Sequence, residues 1–345
     1  MAQKNIGAIL VFNEINIRYF SSYKFSDGFL LILQNRAFLV TDFRYYDEAL
    51  NYASKEFNIV MPKNRWEFIT DIISSEGVKN VGFEKSLSYG ELLRLQERLP
   101  SFSFIALSDI FTGIRSVKRD DEIEKIAAAQ GIADRAFSHI LSVMTPEMTE
   151  IDVALELEFF MRKNGAEGVS FETIAISGDA SALPHGKCRN IRLQKGFLTL
   201  DFGAVFCGYC SDMTRTVSIG RATEKMKEIY NTVLSAQVCA LLSIKAGADC
   251  GETDKVARDI IDGAGYAGCF GHSLGHGVGM YIHESPNLSP SSFGVPLVSG
   301  NVVTVEPGIY VSGEMGVRIE DMVVVTDNGI RNLAKSPKEL IELFC

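Results

Sequence analysis

"LTLDFGAVFCGYCSDMTRT", residues 198–216, has the apolar and β-branched run of a buried sheet, interrupted by two acids, Asp201 and Asp212. An unpaired carboxylate inside a sheet either raises the free energy of the fold or takes up a proton. Two of them in one hairpin therefore imply a cation between them or an acid–base role. A hairpin turning at Phe206 and Cys207 would set the two acids directly opposite, with Cβ atoms about 4.5–5.5 Å apart. Like charges that close stay ionised at neutral pH only around something positive, and a divalent metal ion meets that need. Cys207 and Cys210 form a C-x-x-C in the same stretch. Their spacing in an extended strand points the thiols to opposite faces, and no second C-x-x-C completes a zinc site, so they are read as packing residues.

Working outward, the acids recur. "TPEMTEIDVALELEFFMRKNGA" (145–166) aligns with "GADCGETDKVARDIIDGAGYAG" (247–268), matching Glu150 and Asp152 with Glu252 and Asp254. Downstream of each predicted helix comes a strand ending in an acid and a glycine: "TLDFG" with Asp201 and Gly203, then "TVEPG" with Glu306 and Gly308. A second acid follows each, Asp212 in the first half and Glu320 in the second. A repeat of this length is too long for a solenoid and predicts two halves of one domain, each bringing a pair of carboxylates to a common centre.

The chain has 5 histidines, and four lie near these motifs: His185 in "SALPHG", then His272, His276 and His283 in "GHSLGHGVGMYIHESP". The glycines at 271, 275, 277 and 279 permit close backbone approach and argue against a regular helix. His139 sits on an amphipathic helix and is read as an ordinary surface or core residue. A lone histidine in a glycine-rich loop is more often structural than a ligand, but clustering with four strand acids reverses that. Carboxylate oxygens with a single imidazole favour Mn²⁺ over a thiolate-loving metal, with Co²⁺, Zn²⁺ and Fe²⁺ also able to bind. Two metals about 3.5–4 Å apart can share and acidify a water, which is the chemistry of hydrolysis.

The rest of the 345 residues frame this centre. Residues 1–115 are read as a smaller α/β domain: "GAILVF", "GFLLIL" and "RAFLVT" are short strands, and "DEALNYASKEF" and "RWEFITDIISSEG" have helical spacing. Residues 116–345 are read as the larger domain that carries this centre. It opens on an amphipathic helix with apolar positions Ile123, Ile126, Ala127, Phe137, Ile140 and Leu141, and Asp120 or Asp121 as its N-cap. With 46% apolar and 22% charged residues the chain can build both a core and a solvated surface. Its net charge of −9 argues against a nucleic-acid or anionic-membrane partner. No run approaches the roughly 20 apolar residues of a membrane helix. Ile6–Phe12 is followed by Asn13 and Glu14 rather than small cleavage-site residues, so it is read as a first strand and not a signal peptide. Seven cysteines without regular spacing fit a reducing, cytoplasmic setting.

Taken in order, Asp201, Asp212, His276, Glu306 and Glu320 stand in "LDFGA…GYCSDMTRT", "HSLGHGVG…HESP", "TVEPGIY" and "GVRIED". Together with "MRKNGAEGVSFETIAISGDASALPHG", these motifs make the larger domain resemble the pita-bread metallopeptidases, which include methionine aminopeptidase, aminopeptidase P and prolidase. The resemblance implies a pseudo-twofold α/β catalytic domain behind a smaller creatinase-like α/β domain. It also implies two divalent metal ions, Mn²⁺ first and Co²⁺, Zn²⁺ or Fe²⁺ as substitutes. By position, Asp201 would be a terminal ligand, Asp212 and Glu320 would bridge, and His276 and Glu306 would complete the second metal. Glu306 would also shuttle the proton, and His185 and His283 would steady the scissile carbonyl and its oxyanion. His272 would line the proline side of the pocket, and Arg318 would pair with site carboxylates.

In the smaller domain, "NIRYFSSYKFSDGFLLI" (16–32) and "VTDFRYYDEAL" (40–50) resemble the "NxRYLTGFxGSDG" and "TDGRYxxQA" segments of aminopeptidase P-like proteins, with Phe43 in place of the usual glycine. This implies an Xaa-Pro aminopeptidase acting on small peptides with proline second, and by analogy a homodimer. Prolidase is the alternative. Several prolidases carry an arginine just after "HExP" for the dipeptide's carboxylate, where this chain has Asn287. Metal-free relatives, creatinase-type enzymes and non-catalytic binding modules, stand further off because all five ligand types are present.

Overall fold

A computed structural model describes residues 6–107 and 110–345. The chain divides into two compact units between Ile114 and Arg115. The first is a six-stranded sheet of β1 (Ala8–Val11), β2 (Gly28–Leu33), β3 (Ala37–Thr41), β4 (Phe57–Val60), β5 (Asn80–Glu84) and β6 (Ser103–Leu107), in the order β4-β3-β2-β1-β5-β6. Both faces are covered, which is why these strands read as continuous apolar runs. Leu10, Phe29, Leu31 and Val40 pack with Ile69 and Ile73 of α3 (Arg65–Ser75) and Leu95 of α4 (Tyr89–Arg98). Val11, Leu30 and Leu39 pack on the other side with Ile17 of α1 (Glu14–Ser21) and Ala49 of α2 (Tyr46–Tyr52). Asn13, which argued against a signal peptide, caps α1 by accepting from the Ile15 and Asn16 amides at 3.0 and 3.1 Å. The helix expected over "DEALNYASKEF" stops at Tyr52; Ala53 is extended and Phe57 already opens β4.

The second unit repeats one order of elements. After α5 (Ile110–Ser116), its first half runs α6 (Asp120–Val143), α7 (Glu150–Lys163), then, beside the short β7 (Gly168–Val169), β10 (Ala204–Phe206) and β11 (Tyr209–Cys210), three main strands, β8 (Ile174–Ser177), β9 (Gly196–Phe202) and β12 (Met213–Ile219). Its second half runs α8 (Glu224–Ser243), α9 (Cys250–Ile261), then, beside β14 (Glu284–Leu288), β16 (Gly308–Val311) and β17 (Met315–Arg318), three main strands, β13 (Gly275–Gly277), β15 (Val302–Val305) and β18 (Asp321–Thr326). In each half the three strands form an antiparallel ladder. Each pair of helices packs on its own ladder: Phe137, Leu157, Leu198 and Val217 in one core, Val233, Ala257, Val303 and Val323 in the other. Arg119, not an aspartate, is the N-cap of α6, with the Glu122 carboxylate reaching back to its amide at 2.9 Å.

The repeat is real, but its register differs from the sequence alignment. Thr149 caps α7 and Asp249 caps α9, so Thr149 corresponds to Asp249 rather than Gly251. The central hairpin is also shifted. Two-residue pairings join Val205 with Cys210 and Phe206 with Tyr209, around a turn at Cys207 and Gly208 with φ of 48° and 82°. Positive φ at both positions is the turn that suits the twist of a hairpin. Asp201 therefore lies opposite Thr214, and Asp212 falls diagonal to it on the same side. Cys207 is exposed in this turn while Cys210 is buried. Among the described residues no helix is long and apolar enough to cross a membrane.

Candidate metal centre and active site

The two halves meet where β12 runs beside residues 318–320. The Thr216 hydroxyl donates to the Arg318 carbonyl at 2.9 Å, and the Glu320 amide donates to the Thr214 carbonyl at 3.1 Å. That contact carries Asp201 on β9 and Asp212 just before β12 up to Glu320. His276 on β13 and Glu306 just after β15 close the ring from the second half. The Nε2 atom of His276 is 3.5 Å from Asp212 Oδ2 and 3.4 Å from Glu306 Oε1. Asp212, His276 and Glu320 each offer one ligand atom, all within 4.8 Å of one another. His185, His272, His283 and Arg318 join the five on the wall of one cavity of about 660 Å³. His139 is elsewhere, stacked on Phe160 and bonded to Glu156 at 2.6 Å.

The electrostatics of this ring are unfavourable as it stands. Burial pushes the Asp212 carboxyl well above the usual carboxylate range, and the charges of Glu320, Asp201 and Glu306 add to the shift. Burial likewise raises Glu320, with Glu306 and Asp201 adding. Glu306 is pushed up to about 8 by burial, opposed by Arg318 and reinforced by Asp201. His276 is pulled down to about 4 by burial, which leaves a neutral imidazole. Among the described residues Arg318 is the one lysine or arginine bonded to any of these four carboxylates. Its Nη2 bonds Asp201 Oδ2 at 2.5 Å, while Asp201 Oδ1 is buried with no hydrogen-bond partner among the described residues. A buried carboxylate oxygen without a donor, among acids driven towards protonation, is the condition that a divalent cation relieves. The donors, four carboxylates and a neutral imidazole, fit such an ion.

Three further residues are tied into the ring that sequence reading did not single out. Thr214 donates to Glu320 Oε2 at 2.7 Å and accepts from Arg318 Nε at 3.0 Å. Thr304 donates to Glu306 Oε1 at 3.1 Å and accepts from the His276 amide at 3.0 Å. The Tyr310 hydroxyl accepts from Arg318 Nη1 at 2.8 Å and lies 2.9 Å from His272 Nε2. A signal existed: Asp212-x-Thr214 and Thr304-x-Glu306 put an acid and a threonine two apart, hence on one face of a strand.

The glycines around His276 are not equivalent. A Cβ on Gly275 would lie 2.0 Å from the Thr304 carbonyl oxygen, whereas one on Gly271 would meet nothing within 4 Å. Gly275→Ala is therefore expected to lose about 1–3 kcal/mol of stability, and Gly271→Ala to stay within about 0.5 kcal/mol. Thermal melting of the two variants checks this; equal melting points would refute the close-approach argument.

Comparison with known proteins agrees with this architecture. Residues 124–327 match Metallopeptidase family M24, and residues 1–117 match the Creatinase/Prolidase N-terminal domain. The Xaa-Pro dipeptidase of Pyrococcus horikoshii is 39% identical over 346 residues, covering 99% of this chain and 96% of that protein. The solved structure of an Xaa-Pro dipeptidase from Bacillus anthracis is 44% identical with a TM-score of 0.95, covering 99% and 96% of the two chains. That of an X-Pro aminopeptidase from Thermotoga maritima is 37% identical with a TM-score of 0.93, covering 98% of each. The pita-bread domain behind a creatinase-like domain stands as expected. The choice of aminopeptidase over dipeptidase does not, because the relatives' names weigh towards the dipeptidase despite Asn287. Fold, site and relatives agree that this chain is a peptidase belonging to metallopeptidase family M24.

Proposed function

We propose that the protein is an Xaa-Pro dipeptidase, hydrolysing the bond between an N-terminal residue and a C-terminal proline. The observation that carries it is the similarity to dipeptidases along nearly the whole chain, together with a single cavity holding all nine expected site residues. Asp201, Asp212, His276, Glu306 and Glu320 would hold two divalent ions, Mn²⁺ by donor type. Bound there, such ions acidify a shared water and polarise the carbonyl. Glu306 takes the proton of the attacking water and returns it to the departing nitrogen, the task of a carboxylate in reach of both. His185 and His283 donate towards the carbonyl oxygen as it gains charge. His272, held by Tyr310, lines the proline side, and Arg318 holds Asp201 in place through Nη2. We place the protein in the cytoplasm as a homodimer; its seven cysteines are all free thiols.

The second reading is an Xaa-Pro aminopeptidase, favoured by the segments of the smaller domain and by the Thermotoga maritima structure. Ala-Pro and Ala-Pro-Ala, assayed side by side with the Mn²⁺-loaded protein and a chelated control, separate the two. The expected result is faster cleavage of Ala-Pro, abolished by the chelator. Preferential release of alanine from the tripeptide would establish the aminopeptidase instead.

A further inference from the structure

We propose that Lys187 receives the free α-carboxylate of the dipeptide and makes the cavity selective for two-residue substrates. This rests on the dipeptidase reading above. Such a substrate brings a carboxylate into a cavity already crowded with acids, so it needs a cation that those acids do not use. Two lysine or arginine side chains line the cavity, Lys187 and Arg318. Arg318 is engaged at every guanidinium nitrogen: Nε with Thr214, Nη1 with Tyr310 and the Pro184 carbonyl, Nη2 with Asp201. Both ring nitrogens of His272 are occupied, by the Ser273 carbonyl and the Tyr310 hydroxyl, and His276 Nε2 is turned to Asp212 and Glu306. Asn287 is on the wall but carries no charge. Lys187 makes no ion pair among the described residues, even with Glu172 on the same wall. It stands two residues after His185, beside the carbonyl-binding position.

The backbone under Lys187 is fixed on both sides. The Gly186 amide donates to the Leu183 carbonyl at 3.1 Å, and a Cβ at Gly186 would lie 2.7 Å from Ile176 Cδ1. On the other side Cys188 Sγ accepts from the Ala175 amide at 3.2 Å. Arg189 then grips the buried Glu150 carboxylate through its amide and Nε at 2.9 Å and Nη2 at 2.7 Å. A flexible side chain on a hydrogen-bonded loop can bring its ammonium to a carboxylate without rearranging the wall. A longer peptide presents a neutral amide there and gains nothing from the charge.

The test compares Mn²⁺-loaded wild type, Lys187→Met and Lys187→Arg on Ala-Pro and on Ala-Pro amide. For a solvent-accessible ion pair, the ratio of kcat/KM for acid over amide is expected to fall about fivefold in Lys187→Met. The fall should come through KM, recover in Lys187→Arg and shrink in high salt. An unchanged ratio, or equal losses on both substrates, overturns the assignment of Lys187 while leaving the dipeptidase reading intact. A wild-type protein that prefers Ala-Pro-Ala overturns that reading, and this inference with it.

Discussion

Glu306→Gln is expected to fold, retain metal and lose about 10²- to 10⁴-fold in kcat on Ala-Pro, the usual contribution of a positioned general acid–base group. Glutamine keeps the shape of the side chain and an oxygen that can still accept from Thr304, so the Thr304 hydroxyl and, through it, the His276 amide stay where they are. What disappears is the ability to take up and release a proton. The same substitution removes a carboxylate that burial disfavours and that raises Asp212 and Glu320 by repulsion. Melting of the metal-stripped variant should therefore come no lower than that of the metal-stripped wild type. Elemental analysis after dialysis separates the two roles given to this residue. Lost turnover with metal retained assigns proton transfer to Glu306, and lost turnover with lost metal assigns ligation alone. Near-normal turnover would remove Glu306 from the chemistry altogether.

The acids could be found from sequence because a carboxylate in an apolar strand conflicts with its surroundings, and four such conflicts at matching places in a repeat are hard to explain singly. Their side of the strand was legible too. Moving the hairpin turn from Phe206–Cys207 to Cys207–Gly208 shifts the pairing by two residues, and a shift of two preserves the face while a shift of one reverses it. The partner of Asp201 was not legible, since Thr214 faces it only because Cys207 accepts a φ of 48°. Gly208 was the clue, as a second turn residue with positive φ. The helix alignment failed for a similar reason: chemical likeness matched Glu150 with Glu252, whereas cap geometry matches Thr149 with Asp249. Glu150 and Asp254 are both buried anchors, one bonded by Arg189 and the Ser177 amide, the other by Arg258 and the Leu274 amide. They do that work from different turns of their helices. Substrate length was the least legible property, because it depends on how a few side chains line a wall and not on any periodic pattern.

Arg215→Met is expected to destabilise the protein by about 3–5 kcal/mol, the range for removing one partner of a buried charge pair. Arg215 is 1% exposed and lies on β12 between residues that touch the metal-site ring. Its Nη2 bonds Asp321 Oδ1 and the Ser336 carbonyl, each at 2.8 Å. Its Nη1 reaches the Thr214 and Glu320 carbonyls at 3.0 and 2.5 Å, and Nε reaches the Pro337 carbonyl at 3.0 Å. Five acceptors on three segments thus share one planar guanidinium. Methionine fills much of the space but donates nothing, so four carbonyls lose a donor, of which that of Thr214 keeps the Glu320 amide, and Asp321 depends on Lys338 and Asn332. Lysine in place of Arg215 should recover little, since a single ammonium cannot span a fork of five acceptors. Urea denaturation of both variants measures the loss as a fall in midpoint at unchanged slope. A midpoint close to that of the wild type would show that the tail residues 336–338 find other donors. Because the guanidinium holds the carbonyls of Thr214 and Glu320, the loss should also reach the site: Glu320 and the hydroxyl that orients it both hang on backbone that Arg215 fixes. Metal retention after dialysis should fall in Arg215→Met even under conditions where the variant remains folded, which links the strength of this buried pair to the shape of the metal centre.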